Sequence, residues 1–229
     1  MKILHEDEHL LVLDKPAGLP VLPDGWEKDA PYLVKSLEED YGNPSTSSGQ
    51  RIFIVHRLDK ITSGVMVFAR DAEIHRALNI QFENHLAEKI YHVIVEGNPK
   101  WDEKIARHPL RANVGHKHRT MVDDKNGKQS ETRFRILKRF RAHPEQGRGD
   151  TALVEAKPMT GRTHQIRVHA YALRHPLLGD ALYGAEETEI IARPALHAYS
   201  LTIEVNGERI TFKASYPDDF RAALERLKR

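Results

Sequence analysis

The sequence predicts an α+β fold built on a central mixed, mainly antiparallel sheet flanked by helices and loops. Two observations carry this. Short β-branched or alternating segments bounded by Gly, Pro or Asn far outnumber helical ones, and strand signals follow one another directly instead of alternating with helices as in a doubly wound sheet. A third is local: Asn206-Gly207 stands between two such segments, a strong hairpin signal.

In chain order, the strand-like segments are LLVLDKP (10–16), RIFIVHR (51–57), GVMVFAR (64–70), KIYHVIVEG (89–97), ETRFRILKRF (131–140), TALVEAKP (151–158), HAYSLTIEV (197–205) and ERITFKAS (208–215). Helices are fewer. DAPYLVKSLEEDY offers Asp29 as a cap with Leu33, Val34, Leu37 and Tyr41 on one face. DAEIHRALNIQFENH offers Asp71 as a cap with Ile74, Ala77, Leu78 and Phe82. Near the end, PDDFRAALERLKR carries Phe220, Ala223, Leu224 and Leu227 at helical spacing. Ile166, Ala170 and Leu173 recur at the same spacing, with Thr163 expected as their cap. GNPSTSSGQ (42–50) reads as an exposed loop, too short for an interdomain linker. One domain, 1–229, is expected.

The 229 residues are 40% apolar and 30% charged, an ordinary globular balance with material for a sizeable core. No apolar run is long enough to span a bilayer, and MKILHEDEHL has acidic residues where a secretory signal needs an unbroken apolar stretch. A cytoplasmic location is expected. The absence of cysteine removes disulfides and thiolate zinc sites. Net charge is only +2, but Arg, Lys and His crowd the stretch from Arg107 to Arg148, while much of the acid lies in the first forty residues and at Glu186 to Glu189. Such local clustering suits a polyanion, although a charged hairpin is also the ordinary dress of a solvated surface.

The stretch HRLDKITSG (56–64) lies between two apolar runs. Asp, Thr, Ser and Gly are usual turn residues, because their short polar groups bond local backbone. A turn alone leaves the basic residues His56 and Arg57 at the mouth of the loop unexplained. Beside it stand KIYHVIVEG with Lys89 and Tyr91, GRTHQIRVH with Arg162, His164, Gln165, Arg167 and His169, and LLGDALYG (177–184). His56, His164, His169 and His197 invite a metal reading, but no helical His-x-x-x-His pair occurs among them and no metal is expected.

HRLDKITSG resembles the active-site motif of the RluA family of pseudouridine synthases. The family's other pieces fall in order: KPAG at Lys15 to Gly18, K-x-Y at Lys89 to Tyr91, GRTHQIRVH at 161–169, HPLLGDALYG at 175–184 and LHAYSL at 196–201. The resemblance spans nearly the whole chain and rests on the collinear combination. It implies a single pseudouridine synthase catalytic domain with its cleft across the sheet. It further implies isomerisation of specific uridines in structured RNA, a transfer RNA, the large ribosomal RNA or both.

By the same resemblance Asp59 is the essential aspartate, Tyr91 stacks on the uracil and takes part in proton transfer, and Arg167 pairs with the aspartate. Arg57 fills the space left when the uridine is flipped out of its stack. His56, Leu58, Ile166 and Arg162 belong to the substrate-binding set, Leu58 and Ile166 as apolar wall. The reaction breaks the bond from ribose C1′ to uracil N1, turns the base, and joins C1′ to C5. No redox equivalent or phosphate donor enters, so no cofactor is expected. The carboxylate serves as nucleophile at C1′ or as base at C2′, and the sequence does not choose. With KILHEDEHLLVLDKPAG opening the catalytic fold at once, no additional N-terminal RNA-binding domain is expected, and a monomer is. Two rivals stand outside this class: a catalytically silent RNA-binding module, and a glycoside hydrolase using a second carboxylate such as Glu155.

Overall fold

Alternation, caps and turn residues reappear as elements in a computed structural model that describes residues 1–23, 30–41, 52–115, 119–142 and 149–228. In chain order these are β1 (Lys2–Glu6), β2 (Leu10–Lys15), α1 (Leu33–Tyr41), β3 (Phe53–Ile54), β4 (Ser63–Ala69), α2 (Ala72–Glu83), β5 (Glu88–Glu96) and β6 (Glu103–Arg107). Then follow β7 (Leu110–Val114), β8 (Arg119–Val122), β9 (Glu131–Phe140), β10 (Thr151–Pro158), α3 (Gln165–Ala172), β11 (Leu196–Val205), β12 (Glu208–Lys213) and α4 (Asp218–Lys228). The expected cap Asp29 and loop 42–50 lie outside the described residues. The chain is an α+β fold.

The chain divides into two units, each made of two stretches of sequence. The first is Met1–Glu88 with Ala198–Ser215. Within it β1, β2, β4 and β11 follow in that order, β3 adds to β4 and β12 to β11. β4 is buried along all seven residues, and its Val65 and Val67 join Leu10, Val12, Leu201, Ile203 and Phe212 in one core. α2 closes over this core through Ile74 and Leu78, and the Asp71 carboxylate accepts from the Ile74 N–H at 2.8 Å as the expected N-cap. Asn206 (φ 52°) and Gly207 (φ 81°) both turn left-handed, the signature of the primed hairpin their sequence announces.

The second unit is Lys89–His197 with Tyr216–Arg229. Its strands run β5, β10, β9, β6, all antiparallel. β7 and β8 form a separate two-stranded hairpin. α4 buries Phe220, Ala223, Leu224 and Leu227, the stripe read from the sequence, among Ile94, Phe140 and Leu178.

Three expectations change. Of the strand expected over 51–57, whose Arg51 lies outside the described residues, the described part is strand only at Phe53–Ile54, because the His56 imidazole Nε2 accepts the Val67 N–H at 3.1 Å where the next residue of β3 would continue the ladder. Thr163 does not cap α3. The cap position is His164, left-handed at φ 53° and without a side-chain cap bond, and the Gln165 side chain closes the turn instead: its Oε1 accepts from Thr160 Oγ1 (2.6 Å) and the Arg162 N–H (3.0 Å). Finally, β1, β6, β7 and β8 carry mostly exposed residues and had no apolar alternation to announce them.

Candidate active site

The Asp59 loop joins β3 to β4 in the first unit, and one residue of it, Leu58, is buried between more exposed neighbours. Arg57 is exposed, Leu58 is 5% exposed, Asp59 is half-buried and Lys60 is exposed. Leu58 thus anchors the loop in the core while its neighbours face outward. The main chain is pinned at Lys60, whose carbonyl accepts from the Gly18 N–H (2.8 Å) and from the fully buried Lys15 amine (3.4 Å). Lys15 Nζ also donates to the carbonyls of Pro16 and Leu19, both at 2.8 Å. The KPAG segment is therefore the brace of the Asp59 loop. The Thr62 N–H donates to the Asp59 carbonyl at 3.0 Å and closes the turn. His56 takes the Val67 N–H and stacks on Phe82 at 4.7 Å, so its ring is an anchor of the same loop.

Tyr91 lies on β5 in the second unit, half-buried and opposite Ala156 of β10. Lys89, two residues earlier, shares its face of the strand. Burial holds the Lys89 amine below the usual lysine range, and Nζ donates to the Thr160 carbonyl at 3.4 Å, linking β5 to the turn before α3. Ile166 and Arg167 are buried on α3, and Arg162 is exposed just before it. The carboxylate on Arg167 is Asp180: Nε to Oδ2 and Nη2 to Oδ1 are both 2.7 Å, and the Asp180 side chain is fully buried. The Arg167 guanidinium also lies 4.9 Å from the centre of the Tyr183 ring. The sequence singles out LLGDALYG as a motif but assigns neither Asp180 nor Tyr183 a part, because thirteen residues of separation hold no local signal for the pairing.

A second network holds α3 to β9. Ser130 Oγ donates to the His108 carbonyl (2.6 Å), so its contact with His169 Nε2 (3.0 Å) makes Nε2 the donor. His169 Nδ1 then accepts from Thr132 Oγ1 (2.9 Å), which accepts from Gln165 Nε2 (3.0 Å). Each hydroxyl gives its one proton in the same direction, and with a neutral His169 every proton along this chain has an acceptor. Burial pushes this imidazole down to about 4. His92, sharing a 2.6 Å hydrogen bond with the Tyr216 hydroxyl, is likewise pushed down to about 4 by burial and by the Arg135 charge.

This sets a pH expectation. An unfolded histidine takes up its proton near 6.5 and the folded His169 near 4, so between those values the unfolded chain binds more protons and stability falls as pH falls. The stability advantage of wild type over His169→Gln is expected to be greatest above pH ~6.5 and to shrink by roughly 2 kcal/mol toward pH ~4. Urea unfolding of both proteins across that window measures it. Parallel curves would refute it.

The basic stretch is less naked than its composition. Arg107 and Arg133 both meet Glu131 (2.7 and 3.1 Å), Arg111 meets Asp123 (2.9 Å), Arg135 meets Glu155 (3.0 Å) and Arg139 meets Asp102 (2.8 Å). Glu155, the rival second carboxylate, is thus held by Arg135 across the β9–β10 pair. Among the described residues no cluster of three or more His, Cys, Asp or Glu is arranged to hold a metal, and no helix is long and apolar enough to cross a membrane.

Residues 9–172 match the RNA pseudouridylate synthase family. The chain is similar to the ribosomal large subunit pseudouridine synthase D of Zymomonas mobilis subsp. mobilis, 33% identical over 238 residues that cover 99% of this chain and 73% of that one. It is also similar to the dual-specificity RNA pseudouridine synthase RluA of Escherichia coli strain K12, 37% identical over 221 residues, 95% of this chain and 93% of that one. Among solved structures, human RNA pseudouridylate synthase domain containing 4 superposes with a TM-score of 0.78 at 25% identity, covering 99% and 92% of the two chains. With the whole length of the chain matched and the Asp59 loop intact, the chain belongs to the RNA pseudouridylate synthase family, isomerases that turn uridine in RNA into pseudouridine.

Proposed function

We propose that this isomerase acts on a uridine in a stem-loop of ribosomal or transfer RNA, with Asp59 as the catalytic carboxylate, Tyr91 as the stacking and proton-transfer residue and Arg167 as the basic partner of Asp59. Relatives named for the large ribosomal subunit and for dual specificity support the substrate class. The observation that carries the assignment of residues is the Asp59 loop. Its outward-facing Arg57 and half-buried Asp59 flank the buried anchor Leu58, with the loop braced from the KPAG segment at Lys60. A carboxylate so held is available to a base that has left its stack, and an exposed arginine two residues away suits the vacated space. His56, Leu58, Ile166 and Arg162 complete the substrate-binding set, with Leu58 and Ile166 as its apolar wall and Arg162 exposed just before α3.

Either chemical route uses the same groups. Asp59 attacks C1′ or removes a proton at C2′, the Tyr91 ring retains the detached uracil while it turns, and the proton at C5 leaves after C1′ to C5 closure. The protein works as a monomeric single domain in the cytoplasm, without metal or cofactor. Mapping pseudouridine in total RNA from cells with and without the gene tests the reading. One site in ribosomal or transfer RNA should vanish in the deletion and return with wild type. Were no site to change, the substrate class would fall.

The grip on RNA is expected from the exposed cations Arg119, Lys125 and Lys128 more than from arginines already facing acids. Replacing all three by Ala should weaken binding and flatten the dependence of log K on log salt by about 2 to 3 units, since each phosphate no longer neutralised is worth roughly 0.7–0.9. Filter binding at several salt concentrations measures the slope, and an unchanged slope puts the phosphate-binding cations elsewhere.

A further inference from the structure

The turn from His175 to Gly184 is built to deliver one carboxylate. Gly179 is left-handed at φ 77°, and a Cβ there would lie 2.6 Å from the Arg193 carbonyl oxygen, so only glycine allows the turn to seat this close. Asp180 follows with its N–H on the Leu177 carbonyl, and its own carbonyl accepts from the N–H groups of Tyr183 and Ala185 (3.0 and 3.1 Å). The carboxylate then meets Arg167 in the fork-to-fork geometry that fixes both position and plane of a guanidinium. Tyr183, three residues on, lies against the same guanidinium.

The Tyr183 hydroxyl reaches further. It accepts from the Thr120 N–H (2.9 Å), contacts the Thr120 carbonyl oxygen (3.1 Å) and bonds His164 Nδ1 (3.0 Å). Thr120 is the buried residue of β8, and Leu110 of the same hairpin packs with Val168 and Tyr183. One phenol thus touches the arginine, the start of α3 and the β7–β8 hairpin.

An ion pair withdrawn from water is weak evidence for stability, because apolar residues of like volume commonly do as well. Holding an arginine in one orientation is a different service, and it is the one this geometry performs. We infer that Asp180 and Tyr183 are positioning residues of the isomerase: the carboxylate grips Nε and Nη2 of Arg167, the phenol ring backs the guanidinium, and the phenol hydroxyl ties this clamp to the hairpin at Thr120. The inference rests on the proposed role of Arg167 as the partner of Asp59.

The test is a double-mutant cycle on single-turnover pseudouridine formation, with total RNA from deletion cells as substrate, read at the site that wild type restores. Asp180→Asn is expected to lower the turnover rate ~100-fold, the size of effect that about 1 Å of misplacement brings, with half-saturating RNA concentration unchanged. In an Arg167→Gln background the same change should add less than ~2-fold, because a group acting through Arg167 has nothing left to position. Tyr183→Phe, which keeps the ring and removes the hydroxyl, should lower the rate ~10-fold at unchanged RNA affinity.

A wild-type rate in Asp180→Asn overturns the inference, and so does a loss of equal size in both backgrounds, which would mean an action independent of Arg167. If Asp180→Asn does not fold, Asp180→Glu keeps the charge and shifts the carboxylate by one methylene. A lowered rate at unchanged RNA affinity supports the clamp, and an unaltered rate removes it. An active Arg167→Gln enzyme would instead defeat the reading of Arg167 itself, whereas a dead Arg167→Gln with a fully active Asp180→Asn defeats the clamp alone.

Discussion

Asp59→Asn is expected to stop pseudouridine formation, by at least ~10⁴-fold or about 5 kcal/mol of barrier, while the protein stays folded and still binds RNA. The amide has the shape of the carboxylate but neither attacks C1′ nor takes a proton from C2′, so both chemical routes fail together. The scaffold should survive because the loop is held by main-chain bonds and by its neighbours: Lys60 through its carbonyl, Asp59 through its own carbonyl to the Thr62 N–H, and Leu58 by burial. Pseudouridine mapping, RNA binding and thermal unfolding of the variant separate chemistry from folding. An active Asn variant would remove Asp59 from the mechanism. Free uracil released by wild type would favour hydrolysis over isomerisation, and RNA bound by wild type without product would favour the silent binding module.

Gly64→Ala should be the most destabilising single methyl in the motif. Gly64 is the second residue of the buried strand β4, at φ 115°, and a Cβ there would stand 2.1 Å from the Ala198 carbonyl oxygen on β11 and 2.7 Å from its carbon. Backbone of a sheet interior cannot retreat as a flexible side chain would, so the strands must part or the loop before Gly64 must shift. A loss of at least ~4 kcal/mol is expected, enough to leave many domains largely unfolded. Gly18→Ala is the matched control. Gly18 is left-handed at φ 89°, but nothing lies within 4 Å of its missing Cβ. It should lose only about 1–3 kcal/mol to backbone strain. Denaturant unfolding of the two variants decides the comparison, and equal losses would mean that the close approach to Ala198 has no energetic weight.

Gly64 illustrates how the motif was legible. Its place in HRLDKITSG suggested a residue that helps bond the loop into shape, and the structure assigns it the narrower duty of letting β4 pass against β11. His56 changes in the same way. Expected in the substrate-binding set by the family resemblance, it also has a structural part, taking the Val67 N–H and stacking on the Phe82 ring. Neither duty leaves a pattern along the chain, since both depend on residues eleven to more than a hundred positions away. Thr163 failed as a cap for a related reason: a hydroxyl just before a helix is a local signal, and Gln165 displaced it through partners on β9, where its amide also donates to the Glu131 carbonyl at 2.9 Å.

Elements with local causes were readable along the chain: the Asn206-Gly207 hairpin, the Asp71 cap, the apolar stripe of α4, and the ordered motifs that identify an RNA pseudouridylate synthase. Turn chemistry, capping and periodicity act within a few residues, so they are written in consecutive letters. Only the folded chain reveals that Lys15 braces Lys60, that the carboxylate gripping Arg167 is Asp180, and that five arginines of the basic stretch face acids. Charged side chains pair according to strand register and to which turn is buried beside which helix, and those follow from packing the whole core rather than from spacing along the chain.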